Sequence, residues 1–440
     1  MEGCNRVHMA MKVSRRGVLR GAAVMTAVGA AQQVLTHVPR RRETAAEEER
    51  LSIALLDVHA ERMESLFEEY AEETGIDLEI TPLGYEELYT QLSLALTQRS
   101  SSFDVVSLDD CWIPQFSSFL TPLDVDSDAW EQNVPVVNEV ASYPSDSPPC
   151  GIPWLGDVQF FVSRSQWLDR LDLSVPSSWD EVLASADVID DSLESKASNS
   201  GFAISTLRAH DVVDSFLPIL RGCGVDLIDQ ETSVPQLDTA EAIVAATTFE
   251  RLSEVSPVES RASGEPTNAD RFGAGEIAMM ANFWTSNLLS GAGTPAADVG
   301  PIDCSLQPFS GNGQRLTMPS VWIAAIPTGS ERVGLASALV AWLTSIDVQR
   351  RLVDVSLPPV VASVYGDDAL IDWQPHLPRM LELISVSKPR PRSPYYSQLE
   401  QLLAAELGLL LSGEQSAEEA MRQANVAMRE FLGREGVLVS

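Results

Sequence analysis

Residues Phe103 to Leu108 form a short apolar run rich in β-branched side chains, the pattern of a strand covered on both faces of a parallel sheet. The run stops at Asp109-Asp110-Cys111-Trp112, which sets two carboxylates and an indole at the carboxyl end of that strand. Open α/β sheets bind small molecules just outside those strand ends. An aromatic plate beside hydrogen-bonding acids suits a polyhydroxylated ring, which has an apolar C–H face and a polar edge. The plainer alternative is a capped turn with a half-buried Trp.

The residues before this run repeat one unit. Leu51–Leu56 reads as a strand, followed by a helix whose apolar stripe is Met63, Leu66, Phe67 and Tyr70 and which Gly75 closes as a C-cap. Leu78–Ile80 is the second strand, and Leu88, Leu92, Ala95 and Leu96 mark a second amphipathic helix. Strand–helix–strand–helix–strand is the start of a doubly wound lobe. A chain of 440 residues exceeds the roughly 250–300 that one core supports, so a second lobe is expected.

A Pro/Ser/Asp stretch, 142–149, leads to Gly151-Ile152-Pro153-Trp154-Leu155-Gly156-Asp157, where a crossover to the second lobe is placed, with a new strand from Phe160. Ser178 with Glu181 forms a capping-box pattern that opens a helix through Ala186. Gly201–Ile204 is strand-like, and His210-Asp211 precede a helix through Leu220. Ala242, Ala245, Ala246, Phe249 and Leu252 share a helical face, and Phe272–Trp284 reads as a helix end, a Gly turn and a buried strand closed by Trp284. Val321–Ile326 is a further strand, with Leu335, Leu339, Trp342 and Leu343 on a core-facing helix after it. The carboxyl end is helical, with stripes from Leu399 to Leu410 and from Met421 to Phe431.

Charge narrows the partners. Asp and Glu total 63 against 30 Lys and Arg, a net −33, and lysine stands only at 12, 196 and 388. Such a surface repels nucleic acid and anionic lipid. The acids are spread along the whole chain, which fits a protein kept soluble in concentrated salt, where the screening length falls to about 3 Å at 1 M. Ser14-Arg15-Arg16-Gly17-Val18-Leu19-Arg20 before an Ala/Gly-rich run resembles a twin-arginine export signal over residues 1–30, with Ala30 as a cleavage point and 31–50 as a polar tether. Cys111, Cys150, Cys223 and Cys304 lack metal or redox spacing and read either as disulfides or as buried small hydrophobes.

The order of these features resembles the extracellular sugar-binding proteins of ABC importers, the maltose- and trehalose-binding type. The matching stretches are FEEYAEETGIDLEITPLGYEELYTQL, DDCWIPQF, GIPWLGDVQFFVSRSQWL, GFAIS, AHDVVDSFLPIL, FGAGEIAMMANFW, VAWLTSIDVQRRL and KPRPRSPYY, from about Leu51 to Phe431. The resemblance implies an α/β fold of the periplasmic-binding-protein-like type II kind, two doubly wound lobes joined by a hinge with the ligand cleft between them. Lobe 1 would be 51–153 and 305–344, and lobe 2 would be 154–304 and 345–440. By position it implies that Asp110 and Trp112 face the ligand from lobe 1, and that Trp154, Asp157 and Trp284 face it from lobe 2, with His210, Asp211 and Arg390 contributing. It implies a monomer outside the cytoplasm, free or held at the membrane, that takes a carbohydrate ligand, docks on an ABC transporter permease and needs no cofactor or metal.

Each assignment has an alternative. Trp284 could be core, His210 and Asp211 could cap their helix, and Arg390 with Arg392 could belong to a stiff surface linker. A glycosidase needs two carboxyls facing each other about 5–10 Å apart across a bond. Adjacent strand-end acids are expected to point to opposite sides, and G-x-S-x-G, H-E-x-x-H and P-loop motifs are missing from the sequence. Tyr395-Tyr396 is similar to the paired tyrosines of ferric-ion-binding proteins, although no His/carboxylate group is evident beside it in the sequence.

Overall fold

The computed structural model of the protein describes residues 11–12, 50–123, 127–193, 199–292, 301–311 and 313–438. The twin-arginine segment and the tether, apart from residues 11–12 and Arg50, lie outside the described residues. No described helix is long and apolar enough to cross a membrane. The described residues group into two compact units.

The first unit lies within Met1–Ser107, Phe119–Thr121 and Ala324–Ala341. Strand β1, Arg50–Leu56, pairs in parallel with β2, Asp77–Leu83, and with β3, Val105–Asp109, whose first three residues belong to this unit. The two connecting helices, Asp57–Thr74 and Tyr85–Thr97, lie where the apolar spacing places them. Met63, Leu66, Phe67 and Tyr70 are all buried, each aliphatic or Phe side chain contributing about 1.5–3 kcal/mol of burial. Gly75 ends the first helix at φ +77°, a left-handed conformation that costs glycine little, and its N–H bonds to the Ala71 carbonyl at 3.0 Å. Asp104 is wholly structural: its carboxylate accepts from the Ser52 N–H at 3.0 Å and the Ser330 hydroxyl at 2.7 Å.

The second unit comprises Leu108–Ser118, Pro122–Ile323 and Trp342–Ser440. Its sheet is mixed. Strand β4, Ile152–Arg164, runs antiparallel to β6, Ile277–Trp284, and to β7, Ile302–Ser305, while β5, Ser200–Ala203, lies parallel to β6. A strand was expected only from Phe160, but β4 begins eight residues earlier. Gly156 reads as a turn signal, yet here it serves a close backbone approach: its N–H bonds to the Pro358 carbonyl at 3.0 Å, and a Cβ would sit 3.1 Å from the Pro359 oxygen.

The helix Trp179–Ser192 opens with the expected box, Ser178 Oγ accepting from the Glu181 N–H at 3.3 Å, and extends one and a half turns past Ala186. The helix Ala209–Gly222 contains His210 and Asp211 in its first turn, so neither is the cap; Arg208 holds that position without a side-chain cap bond. Ala242, Ala245, Ala246, Phe249 and Leu252 are buried on the helix Ala240–Val255. On the helix Val333–Leu343, Leu339 and Leu343 are buried, whereas Leu335 and Trp342 are only half-buried. Trp342 was expected in the core; this helix is too short of polar residues for its periodicity to single out one buried face. None of the four described cysteines forms a disulfide and all are buried, the second of the two readings left open by their spacing.

Candidate ligand-binding site

Everything at the site follows from how β3 ends. All five of its residues are buried, and Asp110 opens a short 3-10 turn, Asp110–Trp112. The turn breaks the two-residue alternation of the strand, so the adjacent acids do not diverge. Asp109 and Asp110 both bind one Nη2 of Arg390, a buried ion triplet with side chains 0–1 % exposed. Burial pushes the Asp110 carboxyl upward against the pull of Arg390. Burial also opposes the Arg390 charge, but Asp109 and Asp110 outweigh it and hold the guanidinium protonated well above its usual value.

Arg390 reaches this position from the segment Lys388-Pro389-Arg390-Pro391-Arg392. Side chains two apart in an extended backbone leave on the same side. Arg392 accordingly also reaches β3's end, donating to the Asp110 carbonyl at 3.0 Å and the Ser142 carbonyl at 2.7 Å. Arg221 pins the segment from beneath, donating to the carbonyls of Lys388 at 2.9 Å and Pro389 at 2.8 Å, while its Nε faces Asp226 at 3.1 Å. Asp226 in turn accepts from Lys388 Nζ at 2.8 Å. The segment predicted as a possible surface linker is therefore anchored, with Arg390 1 % exposed.

These groups wall a cavity of about 440 Å³, bounded by Ser142, Arg221, Asp226, Lys388, Arg390 and Arg392 among others. That size lies within the usual range for small-molecule pockets, roughly 300–1,000 Å³. Of the residues singled out in the sequence, Arg390 lines the cavity and Asp110 is its ion partner.

The others are placed elsewhere in this unit. Trp112 is 2 % exposed and packs edge-on against Trp322, centroids 6.0 Å apart, and Trp154 is fully buried on β4. Both indoles were expected to offer a face to a ligand; in the structure packing covers those faces. His210 sits between two acids, Nε2 to Asp214 at 3.1 Å and Nδ1 to Glu400 at 2.9 Å. Burial disfavours its charge, but the two carboxylates prevail and raise its pKa well above the ordinary value. Tyr396 is buried within the field of the same two acids. A His/carboxylate group thus does stand near Tyr396, contrary to the sequence reading, and His210, Asp214 and Glu400 each bring a ligand-type atom within 4.8 Å of the others. Both ring nitrogens already face carboxylates, which a protonated imidazole satisfies without a metal.

Asp157, Asp211 and Trp284 belong to a further group. Thr285 donates to the Asp157 carboxylate, as do the N–H groups of Val158 at 2.9 Å and Ser286 at 3.2 Å. Arg208 pairs with Asp211 at 3.1 and 3.2 Å. Between these acids lies Glu265, bound by the Asn287 amide at 2.6 Å; burial, then the charges of Asp157 and Asp211, raise its carboxyl well above the usual range. Trp284 closes β6 and is half-buried.

Sequence reasoning missed Arg221, Asp226, Lys388 and Glu265. Arg221 had a signal, a cation on a helix otherwise buried from Asp211 to Gly222. Lys388 had another, being one of three lysines. Glu265 had none, since an acid in a helix's first turn is ordinary.

Residues 57–350 match the model of a family described as bacterial extracellular solute-binding protein. A curated relative from Sinorhizobium fredii, described as a probable amino-acid ABC transporter periplasmic-binding protein, is 23% identical over 86% of this chain and 88% of its own length. Among solved structures, a maltose-bound MalE3 from T. maritima superposes with a TM-score of 0.78 at 22% identity, covering 87% of this chain and all of that one. A solute-binding protein from Agrobacterium radiobacter in complex with ribitol gives 0.76 at 18% identity, over 87% of this chain and 98% of its own. These likenesses fix the architecture as the two-lobed type II periplasmic-binding-protein fold.

Proposed function

The chain belongs to the bacterial extracellular solute-binding proteins, and from that premise we propose that it captures a carbohydrate outside the cytoplasm and delivers it to an ABC transporter permease. The observation that carries this reading is the cavity of about 440 Å³ walled by Arg390, whose guanidinium is fixed by Asp110. Rigid donors and acceptors around a space of that size are what a polyhydroxylated solute requires. Solved relatives whose structures hold maltose and ribitol support the substrate class.

In this reading the protein acts as a monomer by closing lobes 51–153 with 305–344 and 154–304 with 345–440 on the ligand, which shifts a hinge equilibrium through differential affinity. It reaches its compartment by the twin-arginine address and stays soluble in concentrated salt through its net −33. It binds without chemistry: Asp109 and Asp110 share one guanidinium instead of facing each other across a bond, so neither is placed as acid opposite nucleophile.

Calorimetry of the full chain against mono- and disaccharides in molar NaCl tests this, with small-angle scattering on each binder. Saturable binding with compaction and an unchanged sugar is expected. Binding of amino acids with none of the saccharides contradicts the carbohydrate reading and favours the chemistry named for the Sinorhizobium fredii relative.

A further inference from the structure

Four cations line this cavity against two lining acids, Asp226 and Glu139. Arg221, Lys388, Arg390 and Arg392 all line it, in a chain where acids outnumber bases 63 to 30. Their partners account for part of that charge. Arg390 is matched by Asp109 and Asp110, while Arg221 and Lys388 share the single carboxylate of Asp226.

Arg392 is matched by nothing of opposite sign within bonding range. Its two hydrogen bonds go to the backbone carbonyls of Asp110 and Ser142, and it forms no ion pair among the described residues. The other acid lining the cavity, Glu139, is exposed. Burial lowers the Arg392 pKa, the mark of a guanidinium held partly out of water. The main opposite charge acting on Arg392 is that of Asp110, which Arg390 also binds, so an incoming anion would give this partly desolvated cation a charge-assisted partner of its own. Among the described residues the lining holds no aromatic ring of the kind that stacks on a neutral sugar.

We propose that the ligand of this cavity is an acidic carbohydrate, whose oxyanion is bound by Arg392 and Lys388 while its hydroxyls meet Ser142, Asp226 and Gln230. The inference rests on the carbohydrate reading above and specifies its substrate class. The oxyanion is a uronic acid carboxylate or the phosphate of a sugar ester, two sources of one chemistry. Lys388 suits either, having one bond to Asp226 and two ammonium hydrogens to spare. Charge-assisted bonds formed away from bulk water are also the ones that survive concentrated salt.

Calorimetric titration of the full chain in molar NaCl separates the possibilities, using glucose, galactose, glucuronate, galacturonate and glucose 6-phosphate. An acidic sugar should bind about 10-fold or more tightly than its neutral parent, and comparison of the uronates with the phosphate identifies the source. Arg392→Gln should bring acid and parent within about 3-fold of each other. Lys388→Gln, at a half-exposed side chain with no backbone to support, should reduce the preference in the same direction and keeps the test valid if the arginine variant misfolds. A neutral sugar bound as tightly as its acid, or a preference untouched by Lys388→Gln and Arg392→Gln, overturns this proposal and leaves the carbohydrate reading standing. No binding by any sugar, acidic or neutral, removes the carbohydrate reading and this proposal with it.

Discussion

Two groups of buried acids in the second unit solve the same electrostatic problem differently. Around Asp110, carboxylates are taken out of water with cations beside them: Arg390 binds Asp109 and Asp110, and Arg392 donates to the Asp110 backbone. Around Asp157, the donors are neutral, namely Thr285 and two backbone N–H groups, and burial with the charges of Asp157 and Asp211 raises the Glu265 carboxyl well above its usual range. The first group is built to hold charge next to a cavity. Similar acids therefore meet cations beside a cavity in one place and mainly uncharged donors in the other.

The largest effect should come from taking the cation away from the first group. Arg390→Ala leaves Asp109 and Asp110 buried without compensation and should lower stability by about 3–5 kcal/mol in urea unfolding. Adding Asp110→Asn to that variant should restore a substantial part. A loss below about 1 kcal/mol would mean that the triplet is not buried in solution.

The indoles give the next contrast. Trp112→Ala should cost about 3–5 kcal/mol, as it opens a hole beside Trp322. Trp284→Ala, at a half-buried strand end, should cost on the order of 1 kcal/mol. Equal losses at the two sites would contradict their difference in burial.

The smallest effect separates the two groups by proton linkage. Glu265, Asp110 and His210 all have folded pKa values above their unfolded ones. Such groups contribute stability that is complete below the unfolded pKa and is lost as pH rises through the folded one. These three groups therefore push the melting temperature up as pH falls from about 7.5 to 5.5, while His59, whose pKa burial holds down at about 3, pulls the other way once pH falls below its ordinary value. Further acidification reverses the trend, because Asp214 and Asp226 are held low in the folded state and lose their contribution as pH falls through their folded values. Glu265→Gln, an isostere of the protonated acid, should flatten the upper part of that slope while changing stability at pH 5.5 by less than about 1 kcal/mol. An unaltered slope would show that Glu265 is ionised when folded.

The repeating unit of the first lobe was legible because it rests on local signals. Period 3.6 at Met63, Leu66, Phe67 and Tyr70, a glycine stop at Gly75 and a β-branched run at Val105 need no partner to be read. Asp110 and Arg390 were both singled out, but their meeting was not readable, since 280 positions separate them. Their convergence depends on a 3-10 turn, and no residue in Asp110-Cys111-Trp112 demands one. Indole exposure was equally hidden, because a Trp at a strand end looks the same in sequence whether packing or a ligand covers its ring. Packing covers Trp112, whereas Trp284 is only half-buried.

The central claim is that the charged group beside the cavity, and not the group around Asp157 and Glu265, recognises the ligand. A crystal structure of the full chain with the tightest-binding sugar from the calorimetric series tests it most directly. The account predicts the sugar in the cavity, with an oxyanion within hydrogen-bond distance of Arg392 or Lys388. A sugar held instead against Trp284 and Asp157, with no atom in reach of Arg392, Lys388 or Arg390, would contradict it.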